Sequence, residues 1–226
     1  MRIEFLPWET DLFNQKCGKL VDISLGDPFD TEDYAFLYVK IPFGKEAVAT
    51  RLCRRNFLFI ETAVILVRFC HSISFRFNTA VQISEAHRCH SDALADIAEN
   101  ALTLSRFHKD PKIDHATAAG SRRQWVINAY SRPDMHVLAA TLDDKPTGFL
   151  ILKQDDKEAK VDLIAISKPA RKQGIGRALM AEVIKIVKGK SIYATTQIIN
   201  HAALQFYQKI GFVVTDGYYS FHWHKD

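Results

Sequence analysis

The chain has 226 residues, 47% of them hydrophobic and 25% charged, with a formal net charge of +4. That length holds one large domain or two small ones and that composition is ordinary for a soluble globular protein. The positive excess is too small, and no recognisable module accompanies it, for a nucleic-acid binder, so no nucleic-acid partner is expected.

The opening MRIEFLPWETD lacks a basic segment followed by a long apolar stretch, and Cys17, Cys53, Cys70 and Cys89 form no C-x-x-C pair. A reducing cytoplasm is the expectation. Leu20 to Leu25 and Ala35 to Ile41 are rich in β-branched and aromatic residues and read as strands; Gly44 to Asn56 carries helix formers with a basic end. Phe57 to Phe69 is the most apolar run, but Glu61 and Arg68 interrupt it and it is too short to span a bilayer as a helix, so it reads as a buried strand with no membrane partner.

Around Ser72 to Thr79 the pattern turns polar, and a domain boundary is expected there, with residues 1–75 before it and 80–226 after it. Val81 to Ser84 reads as a strand, and Ser91 as the cap of a helix running through Leu94, Ile97, Ala101 and Leu104. His87-Arg88-Cys89-His90 holds ligand-type side chains, but they are adjacent and no second cluster has zinc-like spacing, so no metal is expected. Ser105 to His108 follows the helix, then a polar loop with Pro111, then a second helix over Arg122 to Tyr130. His136 to Leu142, Thr147 to Gln154 and Lys160 to Ile166 form three strands with turns at Asp143-Asp144-Lys145 and Asp155-Asp156.

This meander delivers the chain into RKQGIGR and a helix whose apolar residues recur as Ile175, Leu179, Val183 and Val187. Gly174 and Gly176 remove two side chains where the first helical N–H groups lack intrahelical partners, and Arg171, Lys172 and Arg177 add positive charge. The combination suits a phosphate-bearing ligand. A Walker loop is excluded, because Arg177-Ala178 stands where lysine and a hydroxyl are required. A dinucleotide fingerprint is excluded too, because position 179 is Leu instead of the third glycine. Ile192 to Gln197 then reads as a strand and His201 to Ile210 as a helix stopped by Gly211, with Phe212 to Thr215 and Tyr218 to Trp223 as strands completing a sheet edge.

The [RQ]-x-x-G-x-[GA] loop after Ile164-Ala165-Ile166, with N-x-x-A-L-x-x-Y from Asn200 to Tyr207, resembles the GCN5-related N-acetyltransferase (GNAT) family over residues 80–226. The resemblance implies an α/β fold, a mixed and mostly antiparallel central sheet flanked by helices, with residues 1–75 as a smaller N-terminal α/β domain contributing to the acceptor site. It implies an enzyme that uses acetyl-CoA, bound by the Ile164, Ala165 and Ile166 backbone, by Arg171, Lys172, Gln173, Gly174, Ile175, Gly176 and Arg177, and by Asn200. It also implies Tyr207 as the acid for the departing sulfur, a role suited to a phenol with an ordinary pKa of about 10. Packing of Tyr207 against Phe206 and Phe212 is the other reading. Thr195 stands where many relatives carry a basic glutamate.

PWETDLFN, SRF followed by RRQWVINA, and TTQIINHAALQFYQKIG resemble, more narrowly, the dTDP-fucosamine N-acetyltransferases. That likeness implies Glu61, in N-F-L-F-I-E, as the proton acceptor, with Asn56 departing from their glycine. Glu61 on a strand's solvent face is the competing reading. It also implies a nucleotide-linked deoxyamino sugar as acceptor, met by Arg106, Phe107 and Trp125, for which a helix-end arginine and core aromatics are the plainer account. The expectation is direct transfer to that amine in a ternary complex, in a homodimer. A protein N-terminus or another small amine as acceptor, and a non-catalytic acyl-CoA-binding module, are the alternatives.

Overall fold

The fold is that of a computed structural model, and it describes residues 2–26, 31, 33–69, 80–156, 158–187 and 189–225. Ten strands form one sheet: β1 (Arg2–Phe5), β2 (Cys17–Val21), β3 (Phe36–Pro42), β4 (Leu58–Arg68), β5 (Gln82–Glu85), β6 (Met135–Leu142), β7 (Lys145–Gln154), β8 (Ala159–Ile166), β9 (Ile192–Gln197) and β10 (Val213–His224). Their order is β1-β2-β3-β10-β4-β9-β8-β7-β6-β5, and among the described residues only β2–β3 and β8–β9 pair in parallel. The helices are α1 (Pro7–Phe13), α2 (Glu46–Cys53), α3 (Ser91–Ala101), α4 (Arg106–Lys109), α5 (His115–Ala129), α6 (Ile175–Ile186) and α7 (His201–Lys209). This is the α/β architecture expected, a mixed, mostly antiparallel sheet flanked by helices.

Strand alternation sends neighbouring residues to opposite faces. Leu138, Ala140, Leu150, Leu152 and Val161 pack beneath α6 and α7, while Val137, Ala139, Phe149 and Ile151 meet α3 and α5. Further along the sheet, α2 covers Leu37, Val39, Ile41 and Phe221 through Val48 and Leu52. On the opposite side Phe36 and Tyr38 face α1, α4 and α5.

Several expectations are corrected. The two C-terminal runs form one strand, β10, with a register shift between Val214 and Asp216. It is no edge: it lies between β3 and β4, so strands from both ends of the chain share one sheet. A contiguous sequence cannot show pairing across such separations. β1 and α1 were not expected at all, although Pro7 opens α1 and Glu9 lies in its first turn, both start signals. The strand expected at Leu20 to Leu25 is β2, over Cys17–Val21. Ser91 begins α3 rather than capping it by its side chain, and that helix stops at Ala101, short of Leu104. The helix expected from Arg122 starts at His115, capped by Asp114 accepting the Thr117 N–H at 2.9 Å. Its alanine-rich first turns carry too little apolar periodicity to reveal it. The boundary expected at Ser72 to Thr79 lies outside the described residues.

Candidate acetyl-transfer site

The centre is set by where two strands stop pairing. β8 and β9 run parallel from Ala159/Ile192 to Val161/Ala194, and there the ladder ends. Beyond it β8 continues to Ile166 with β7 as its partner, up to Gly148↔Ile166, while β9 continues to Gln197 with β4 as its partner. A gap therefore opens between the two strands, and the backbone of residues 163–166 on that side is left for another extended chain to pair with. A register shift opposite Ile151 and Leu152 leaves Asp162 as the extra residue, a bulge at the mouth of the gap.

At the end of β8 the chain makes a short 3-10 turn, Lys168–Ala170, and enters α6. Gly174 is the cap of that helix, at φ 82°, a left-handed conformation that glycine adopts without strain. Lys172 holds φ 64° without that exemption, so the loop stores backbone strain immediately before the helix N-terminus. Gly176 answers a different demand: a Cβ there would lie 3.1 Å from the Phe206 ring, so its absence lets α7 pack against α6. Arg171 donates from Nε to the Ile166 carbonyl at 3.3 Å, and Gln173 donates to the Pro169 carbonyl at 3.2 Å. Both brace the loop. The N–H groups of Ile175 and Gly176 are first-turn donors with no intrahelical acceptor, and they fit an anionic group such as a pyrophosphate.

Asn200 caps α7, its Oδ1 accepting the Ala203 N–H at 3.2 Å, which leaves the amide NH2 to face a ligand. Tyr207, 3% exposed, sits between Phe206 and Phe212 with ring centroids 5.2 and 5.0 Å away. It belongs to the same cluster as Ile164, Ile166 and Ile175. Burial pushes its phenol well above the ordinary tyrosine range, which corrects the expectation of an unshifted group.

The remaining expected residues gather on the other face of the sheet. Glu61 is 6% exposed, not on a solvent face, and stands beside Ser220 on β10, which in turn stands beside Lys40 on β3. Its Oε2 has the Lys109 ammonium at 3.7 Å and no hydrogen-bond partner among the described residues. Arg106 pairs with Glu9 at 3.0 Å and lies over the Tyr38 ring at 4.0 Å. Trp125 donates from Nε1 to Asp162 at 2.8 Å and meets Trp8 edge-on at 5.6 Å. Phe107 is different: 1% exposed, it contacts Trp8, Phe13, Phe36 and His222, so no ring face is left to stack on a base.

Sequence reading missed Trp8, Glu9, Arg122 and Asp162. Arg122 lies 5.3 Å from the Trp125 ring; burial first and the Arg106 charge second push its pKa down to about 10, against Glu61 and Asp162. A cleft of about 580 Å³ runs from Trp8, Trp125 and Asp162 out past Asn128, Lys153 and Lys160. In the sequence, Trp8 and Glu9 lie in PWETDLFN and Arg122 in RRQWVINA, segments that carry the narrower resemblance, but of the cleft residues only Trp125 was given a role there.

The chain is 25% identical over 135 residues to the spore coat polysaccharide biosynthesis protein SpsD of Bacillus subtilis (strain 168). The alignment covers 58% of this chain and 47% of that relative, so the chain spans about half of its length. A functionally unknown conserved protein from Staphylococcus epidermidis ATCC 12228 superposes with a TM-score of 0.66 at 15% identity, over 87% of this chain and 75% of that one. A GCN5-related N-acetyltransferase from Kribbella flavida gives 0.60 at 14% identity, over 92% and 80%. These two establish likeness of fold alone. The acetyltransferase (GNAT) family model matches residues 97–212, more than half of the chain and the segment that builds the gap, the glycine turn and the α7 face. By that match, the chain belongs to the GNAT family of N-acetyltransferases.

Proposed function

We propose that the chain acetylates the amine of a nucleotide-linked deoxyamino sugar of the dTDP-4-amino-4,6-dideoxygalactose kind, by direct transfer from acetyl-CoA in a ternary complex. The observation that carries this reading is the two-faced gap between β8 and β9. One face holds the strained glycine turn, the α6 N-terminus and Tyr207; the other holds the aromatic-walled cleft and, outside its lining, the buried Glu61 beside Lys109. A pyrophosphate-bearing donor and a second substrate thus meet from opposite sides at one opening.

In this arrangement the α6 N–H groups and the free β8 edge orient the donor. Tyr207 holds a proton for the departing sulfur, and burial keeps it protonated until then. Glu61 accepts the proton that the amine loses as its nitrogen bonds to the acyl carbon and the carbon–sulfur bond breaks. Trp8 and Trp125 offer aromatic surface for a base, and Lys160 offers charge for a diphosphate, with Arg132 and Lys153 adding to it if they leave Asp134, which both now hold. Residues 1–75 supply Trp8, Glu9 and Glu61, hence much of the acceptor wall. The SpsD relative's name, spore coat polysaccharide biosynthesis protein, agrees with an amino-sugar acceptor.

A second reading rests on the carboxylates Asp155, Glu158 and Asp162 in the same cleft, which favour a small cationic amine. A panel of dTDP- and UDP-amino sugars with polyamines, read by CoA release, separates the two. Turnover confined to the polyamines would replace the acceptor assigned here, and no thiol release with any amine would leave an acyl-CoA-binding module. Glu61→Gln is expected to lower kcat/KM for the acceptor by about 100-fold while leaving KM for acetyl-CoA unchanged. An unchanged kcat/KM for the acceptor would take Glu61 out of the proton path.

A further inference from the structure

His222 and His224 are two apart on β10, so alternation turns both rings to one face, with Trp223 to the other. Asp110, directly after α4, comes under them. Its Oδ2 lies 2.6 Å from His222 Nδ1 and 2.7 Å from His224 Nε2. All three donor atoms fall within 4.8 Å of one another. The other carboxylate oxygen accepts the Lys112 N–H at 2.9 Å, which fixes the carboxyl's orientation. Asp110 and His222 are fully enclosed, and the rings of Phe36 and Phe107 surround the imidazoles at 4.9 to 6.0 Å.

We infer that Asp110, His222 and His224 form a binding site for a divalent transition metal of the zinc type, separate from the acetyl-transfer gap. Two imidazoles and one carboxylate are a donor set that zinc and cobalt(II) accept, with water as the fourth ligand. A cavity of about 180 Å³, whose lining includes Gln15, Phe36, Lys112, Asp114 and Thr117, reaches the His224 ring from outside. Bonds of about 2.0 Å in a tetrahedron require donors about 3.3 Å apart, so the two contacts must widen by roughly 0.6 Å. Rotation of the His224 ring, 13% exposed, takes up part of this. Each neutral imidazole moves its proton to the nitrogen away from the metal, so none is released. The nearby Arg106 charge opposes a cation, but its pairing with Glu9 offsets it. The bound metal joins the last strand to the segment following α4, the helix that sets Arg106 against Glu9 and Lys109 against Glu61.

The test uses the full chain, stripped with a chelator and titrated with Co2+ alone. Binding of about one equivalent, with the visible bands of four- or five-coordinate cobalt, displacement by Zn2+ and a raised Tm, is expected. His224→Gln and Asp110→Asn should each weaken binding at least about tenfold. If Asp110→Asn does not fold, His224→Gln, which changes a partly exposed ring, carries the comparison. Failure of the unaltered chain to bind Co2+ overturns the inference and leaves a hydrogen-bonded cluster in which two N–H groups share one carboxylate oxygen. Equal binding by His224→Gln overturns it as well, placing the metal elsewhere, as at the exposed thiols of Cys53 and Cys89.

Discussion

Replacing Tyr207 with phenylalanine is expected to lower kcat by about 100-fold while leaving KM for acetyl-CoA unchanged, a loss of about 2.7 kcal/mol in transition-state stabilisation. The substitution keeps the ring between Phe206 and Phe212 and removes only the hydroxyl, so Tm should not fall. Stopped-flow or steady-state thiol release measures the first quantity and thermal unfolding the second. A lowered Tm with unchanged kcat would mark Tyr207 as packing alone. The upward shift of its pKa has a sign that can be checked. Because burial penalises the phenolate, the protonated acid persists at pH values where a free tyrosine would already have ionised. Tyr207 should therefore contribute no alkaline loss of kcat near the ordinary tyrosine value, and any such limb belongs to another group.

Phe107→Ala is expected to destabilise the chain by about 3–5 kcal/mol, since it empties the centre of the aromatic cluster formed by Trp8, Phe13, Phe36 and His222. For a chain of this length the Tm should drop by roughly 6–20 °C. Phe107→Leu preserves most of the volume and should leave KM for the acceptor unchanged. A raised acceptor KM in a fully stable Phe107→Leu protein would restore the ring to the substrate wall. The matched comparison is Trp125, whose ring borders the cleft and whose indole N–H is held by Asp162.

The two residues show why the glycine turn and its helix were legible in the sequence and the surroundings of Trp125 less so. The narrower resemblance groups Arg106, Phe107 and Trp125 as one acceptor wall, but helix geometry turns Arg106 toward Glu9 and Phe107 into the core. Trp8, the aromatic partner that Trp125 meets, comes from more than a hundred residues away. Glu61 lay in a run apolar enough to identify a buried strand. Which face its carboxylate took depended on β10 lying alongside β4, and the placement of β10 was misread as an edge.

By itself the sequence determined the strand, glycine turn and helix from Val161 to Val187, and with them the family. Those features rest on contiguous residues: one glycine at positive φ, a helix N-terminus and an apolar period. Only the tertiary structure decided that β8 and β9 part after Val161 and Ala194, that Gly176 is small to admit Phe206, and that Asp110 meets His222 and His224 across 112 and 114 positions. Each depends on strand order and on packing between distant elements, where the free energy lies in burial that no local pattern records.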